Sequence, residues 1–237
     1  TYNVEGLPWP LAWERPAAMR RIGSRLGAMR AEGRQPTVVV LQEAFIAEAK
    51  AIGEQAGYPY QVQGPYLRAQ PGEAEANGGR WHRGETQPSA VDSGLVVLSD
   101  LPVVDVRRAA FPTGACAGYD CLAAKGVVMV TVAVPGRGRV TIASPHLNSR
   151  AASGAPHART HEAYRRQVEF LARFMGHSAD PVVLAGDFNR GSRPARIAAM
   201  NAVLHQPREG LAEVLARPGT ALSGSAALPS RAARICA

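Results

Sequence analysis

Long apolar runs are missing from this chain. No stretch approaches the ~18 consecutive apolar residues that a membrane-spanning helix needs, so none reads as one. Cysteine is scarce: three residues are too few to build a disulfide scaffold. Cys116 and Cys121 lie close enough to bridge, or are two reduced thiols in a loop, and Cys236 is left over. Lysine is almost absent, since only Lys50 and Lys125 among 27 basic residues are not arginine. An initiator Met is lacking as well. The opening "TYNVEGL" enters as if midway through a strand, and the closing "RAARICA" resembles no finished element. Both ends are therefore expected to be incomplete, and a signal peptide is neither seen nor excluded. No internal repeat and no convincing linker divides the chain.

What is present describes a soluble globular protein with many turns. In 237 residues, 46% are apolar and 24 are glycine, which is ample for a real core. A single domain spanning 1–237 is the economical expectation. The formal charge of +8 suits an anionic partner, whether phosphodiester, nucleic acid or lipid head group. The arginine bias, alongside abundant alanine, is equally a signature of genomic composition, and no dense basic run stands out.

Hydrophobic spacing alternates between two periods. Met19, Ile22, Leu26 and Met29 follow each other at helical spacing over residues 17–32, and Gly33 stops the pattern. Residues 44–56 have helical composition, and Tyr164, Val168, Leu171 and Met175 share one face of a helix over 160–175. "TVVVLQ", "GLVVLS", "VVDVRRAAF", "GVVMVTVAV", "RVTIAS" and "PVVLAG" read as strands, with "PGRG" a turn between the fourth and fifth. The polar stretch 63–92, which holds Trp81 and His82, reads as a long surface loop. Strands interleaved with helices predict an α/β (α+β) fold, sheet packed with helices outside.

Four strand junctions carry the chemistry. "TYN" runs onto Asn3, "VVVLQE" onto Glu43, "VTIASPH" onto His146 with Asn148 beyond, and "VVLAGDFN" onto Asp187 and Asn189. Each alone has an ordinary explanation, since Asn and Asp open turns and a lone His is usually structural. Together they fit one reaction, gathered at one edge of a sheet. A carboxylate at Glu43 with an amide oxygen at Asn3 suits a hard cation such as Mg²⁺, with Mn²⁺ or another divalent ion as alternatives. His146, with a pKa near operating pH, would protonate a leaving alkoxide. Asp187 would orient or activate water, and the Asn189 amide would donate to a non-bridging phosphoryl oxygen. No Ser-His-Asp elbow, Walker loop, HExxH or Cys/His zinc spacing competes with this set.

The blocks "TYNVEGL", "VVVLQEAF", "SGLVVLSDLPV", "SPHLNS" and "VVLAGDFN" resemble, in order, the signature of the endonuclease/exonuclease/phosphatase (DNase I-like) superfamily. The resemblance runs from residue 1 to about 192 and implies a four-layer α/β/β/α sandwich of two packed mixed sheets. It also implies a divalent-metal site at one edge, with Asn3 and Glu43 as the metal pair, His146 as the acid, and Asp187 and Asn189 handling water and phosphate. "CAGYDCLAAKGVVMV", "GLPWPLAW" and the "GYPY" region are similar to the neutral sphingomyelinase branch. That likeness brings Asp120 and Lys125, five residues apart, into the site set. Trp9 and Trp13 are then either core packing or residues of a membrane interface.

One departure stands out. The superfamily's closing Ser-Asp-His block, whose His activates water, does not occur among the residues after Asn189, and His205 lies too close to replace it. The expectation is a monomeric Mg²⁺-dependent phosphodiesterase, sphingomyelinase C-like, acting on a phospholipid, with a membrane surface as a further partner. A nuclease on the same scaffold is the alternative, with nucleic acid as substrate. A binding module lacking its catalytic base is the alternative of another class. The protein reads as a soluble one of bacterial type, whose compartment the sequence leaves open.

Overall fold

The computed structural model describes residues 1–66, 81–204 and 234–236. Residues 67–80 of the 63–92 stretch, together with His205, lie outside them. The first sheet contains β1 (Tyr2–Gly6), β2 (Val38–Ala44), β3 (Tyr60–Gln63) and β4 (Val96–Ser99), in the order β1-β2-β4-β3. The second contains β5 (Val103–Ala110), β6 (Gly126–Val134), β7 (Gly138–Pro145), β8 (Val182–Ala185) and β9 (Arg234–Cys236), side by side in that order. Both sheets are mixed: β1–β2, β7–β8 and β8–β9 pair parallel, whereas β2–β4, β5–β6 and β6–β7 pair antiparallel.

Strand alternation explains the layering. In β2 and β4, Val39, Leu41, Val96 and Leu98 face helix α1 (Arg15–Ala31) and the single-turn helices α2 (Ala47–Lys50) and α3 (Ile52–Gln55), meeting Met19, Ala49 and Ile52. Their neighbours Val40, Leu95 and Val97 point the other way and interlock with Val128, Val130, Val132 and Ile142 of the second sheet. On that sheet's outer face, Val127, Met129 and Ala143 pack on Tyr164, Val168, Leu171 and Met175 of α4 (His157–Met175). The period of two thus sorts each strand between a sheet-facing and a helix-facing core. The result is the α/β/β/α sandwich anticipated from sequence.

Three local readings are corrected. Residues 44–56 are strand end plus two separate helical turns, not one helix. Tyr60–Gln63 is a strand, at the place where the sequence suggests the end of "GYPY" and the start of a loop. Residues Pro194–Leu204 form a further helix, α5, which no pattern had suggested.

Candidate active site

The two sheets bring their ends together at one rim, and the rim belongs to neither sheet alone. Asn3 and Glu43 come from β1 and β2, while His146 and Asp187 follow β7 and β8 of the other sheet. Asn3 sits near the start of β1 and is paired with Gln42, so it is not a strand-end residue. Its Nδ2 donates to Glu43 Oε1 at 2.9 Å and to Asp187 Oδ2 at 3.1 Å. His146 Nε2 lies 3.9 Å from Glu43 Oε1 and 3.8 Å from Asp187 Oδ2.

Backbone forces explain this aim. Glu43 and Asn189 both adopt left-handed φ values, 57° and 45°, which non-glycine residues take up at a cost and which recur at functional sites. The Asn189 turn is held by its own N–H donating to Asp187 Oδ1 at 2.9 Å, while Asn189 Nδ2 donates to Leu147 O at 2.8 Å. Asp187 N donates to Pro145 O at 3.2 Å and Leu147 N to Asp187 O at 2.9 Å, which locks the two loops together. The approach is so close that a Cβ on Gly186 would stand 2.3 Å from Pro145 O, so only glycine can precede this aspartate.

Two of the expected roles meet different geometry. Asn3 presents nitrogen, not oxygen, to Glu43, because its Oδ1 accepts from Glu5 N at 3.1 Å. It therefore bridges the two carboxylates. Asn189 likewise spends a donor on the Leu147 carbonyl. His146 is almost completely buried, and its Nδ1 has no hydrogen-bond partner among the described residues. Burial first, and then the positive charge of Lys125, hold its pKa well below the ordinary histidine value. That direction favours the neutral imidazole in the resting site.

Asp120 and Lys125 stand behind this rim. Lys125 Nζ is 2.9 Å from Asp120 Oδ1, with both side chains about nine-tenths buried. Lys125 also reaches Leu147 O at 3.4 Å, and Asp120 accepts from Ser149 N. The Cys116–Cys121 disulfide is formed and closes the turn that carries Asp120. Trp9 and Trp13 are 71% and 73% exposed and stack edge to face, which overturns the core-packing reading for both.

Arg196 is the contributor that sequence reasoning missed. Buried at the start of α5, it donates to the carbonyls of Asn148 and Asn189 at 2.7 Å each and to Thr160 O at 3.3 Å, with its guanidinium over the Tyr164 ring. Asn148 is structural too, accepting from Ala117 N at 2.9 Å.

The donor set suits a hard divalent ion. Glu43 and Asp187 are partly exposed carboxylates flanking one amide, and Mg²⁺ is commonly held by one or two carboxylates plus waters and substrate phosphate. No cluster of three or more His, Cys, Asp or Glu suited to a closed metal cage occurs among the described residues.

A layered α/β/β/α sandwich with carboxylates, amide and imidazole at the rim shared by its sheets defines the class. The chain belongs to the Endonuclease/Exonuclease/phosphatase family, whose model matches residues 1–230. Members of that family are hydrolases acting on phosphoester bonds. Among solved structures, sphingomyelinase C from Streptomyces griseocarneus is 26% identical, with a TM-score of 0.62 over 90% of this chain and 71% of that one. A magnesium-bound mutant of beta toxin from Staphylococcus aureus is 20% identical, with a TM-score of 0.64 over 90% and 71%. An endonuclease/exonuclease/phosphatase from Beutenbergia cavernae is 21% identical, with a TM-score of 0.51 over 85% and 51%. A search of curated proteins found no match.

Proposed function

We propose that this protein is a metal-dependent phosphodiesterase that cleaves a phospholipid-type phosphodiester in the manner of a sphingomyelinase C. The observation that carries this reading is the convergence of Asn3, Glu43, His146 and Asp187 from two sheets within 4.0 Å contacts. Glu43 would hold the divalent ion, with Asn3 orienting its carboxylate. When bound, the ion supplies Lewis-acid stabilisation of the phosphoryl oxygens. Asp187 positions a water and takes its proton as the water oxygen bonds to phosphorus. The bond from phosphorus to the leaving oxygen breaks on the opposite side. His146 is neutral at rest, but an arriving phosphodiester anion favours its protonated form, which then passes a proton to the leaving oxygen. The exposed Trp9, Leu11 and Trp13 next to β1 support a lipid surface as the setting, since large exposed apolar groups seek an interface.

A nuclease is the second reading, favoured by the net charge of +8. Both are tested by titrating Mg²⁺ against hydrolysis of bis(p-nitrophenyl) phosphate, sphingomyelin vesicles and plasmid DNA. The proposal expects turnover of the diester and of the lipid, and loss of several orders of magnitude in Glu43→Gln with weaker metal dependence. Efficient DNA nicking without lipid turnover transfers the case to the nuclease, and equal activity in Glu43→Gln removes that residue from the site.

A further inference from the structure

Beside Asn189 the surface opens into a cavity of about 630 Å³, lined by Ser149, Arg150, Asn189, Arg190 and Arg193 and floored by the buried Arg196. Two chain segments supply these arginines, one following β7 and one joining β8 to α5, which is why no basic run was visible in the sequence. None of the residues lining the cavity is acidic. Elsewhere arginines find carboxylates: Arg139 pairs with Asp180, Arg159 with Glu85, and Arg165 with Glu162. Arg150, Arg190 and Arg193 make no ion pair among the described residues, and the one side-chain contact of Arg150 there is His157 Nε2 at 3.3 Å.

Like charges gathered around one pocket repel each other, and an anion held among them would relieve that repulsion. Three guanidinium forks around a pocket match the oxygens of a phosphate-type group, and the volume is that of a small-ligand site. The cavity also adjoins the reaction centre. Asn189 forms its wall, and the same residue's N–H is bonded to Asp187 at 2.9 Å. A group held there would lie next to a diester placed at Asp187.

We infer that the arginine cavity is a subsite for an anionic, phosphate-class head group of the substrate, so that the preferred phosphodiester carries a second negative group where sphingomyelin carries choline. The inference rests on the phosphodiesterase reading and narrows its substrate. A quaternary ammonium in this cavity would face three arginines, and repulsion of that kind is how a site rejects the wrong ligand.

Two measurements test it. In the first, inorganic phosphate is titrated calorimetrically into the protein in EDTA, comparing wild type with the triple variant Arg150→Gln/Arg190→Gln/Arg193→Gln. A control variant, Arg21→Gln/Arg25→Gln/Arg137→Gln, removes the same charge from exposed positions elsewhere. The triple variant is expected to bind at least about tenfold more weakly, equivalent to ~1.4 kcal/mol, with the control unchanged. Equal binding in wild type and triple variant, or an equal loss in the control, overturns the subsite. In the second, phosphatidylcholine vesicles containing either sphingomyelin or phosphatidylinositol 4-phosphate are compared as substrates. Wild type is expected to prefer the anionic lipid and the triple variant to lose that preference. A wild-type preference for sphingomyelin that the variant keeps overturns the head-group assignment. Should neither lipid nor bis(p-nitrophenyl) phosphate be hydrolysed, the phosphodiesterase reading fails, and the phosphate titration alone decides whether the cavity binds anions.

Discussion

Asp120 and Lys125 show how far a single residue pair can be read. Their five-residue spacing suggests a loop pair, and an exposed pair of that kind is worth only ~0–1 kcal/mol. The structure buries both, 2.9 Å apart, with Asp120 also on Ser149 N and Lys125 also on Leu147 O. Breaking a buried pair by removing one partner strands the other charge, at a cost of about 3–5 kcal/mol. Lys125→Ala is therefore expected to lose stability as well as turnover, a different outcome from that of an exposed pair. The double variant Asp120→Asn/Lys125→Met removes both charges and keeps volume, so its denaturation midpoint should return most of the way. Its turnover should stay low, because nothing then presses on the carbonyl of Leu147 behind His146. Denaturant unfolding and kcat on the same three proteins separate the effects. If the double variant regains full turnover, the pair serves only the fold.

At the scale of elements, legibility follows from where each signal resides. Strands such as Val38–Ala44 and Gly126–Val134 were visible because β-branched residues crowd positions buried on both faces. The helix face Tyr164, Val168, Leu171, Met175 was visible because its period survives intact, and all four side chains are buried. Helix α5 lacks a strongly amphipathic face, although "PARIAAMNAVL" has helix-forming alanines and Pro at its first position, and its decisive residue is an arginine. Arg196 bonds backbone carbonyls, and a carbonyl partner leaves no trace in a sequence. The same blindness hid the turned amide of Asn3 and the gathering of arginines at the cavity. Arg196→Met is a direct check, because it keeps the length of the side chain while stranding the carbonyls of Asn148 and Asn189. Unsatisfied buried carbonyls cost ~1–3 kcal/mol each, so unfolding should ease by at least about 2 kcal/mol. Turnover of the folded protein should fall as well, since the loops carrying His146 and Asp187 are no longer tied to one another through α5. Unchanged stability would remove Arg196 from its role as the tie.

For the whole molecule, two tyrosines report on opposite faces of the sandwich. Tyr58 belongs to the core between the first sheet and α1–α3, and its hydroxyl donates to Pro36 O at 2.7 Å. Tyr164 belongs to the core between the second sheet and α4, under the Arg196 guanidinium. Burial pushes the pKa of each up from 10 to about 12. Their folded values lie above the unfolded one, so the stability they contribute is complete below pH 10 and is lost as pH rises toward 12. The other four of the six tyrosines, Tyr2, Tyr60, Tyr66 and Tyr119, are exposed, between 37% and 58%. An absorbance titration of phenolate should therefore contain a late stage from Tyr58 and Tyr164. This late stage also tests the expectation of one domain. Sheets that interlock through Val40, Val97, Val128 and Val130 should unfold together, so that the two late tyrosines ionise in one step with the loss of circular dichroism. Tyr58→Phe should halve the amplitude of that step without splitting it. Two separate late steps, each with its own fraction of the dichroism, would mean that the halves melt independently and that the shared core between the sheets is not what holds the rim of the site together.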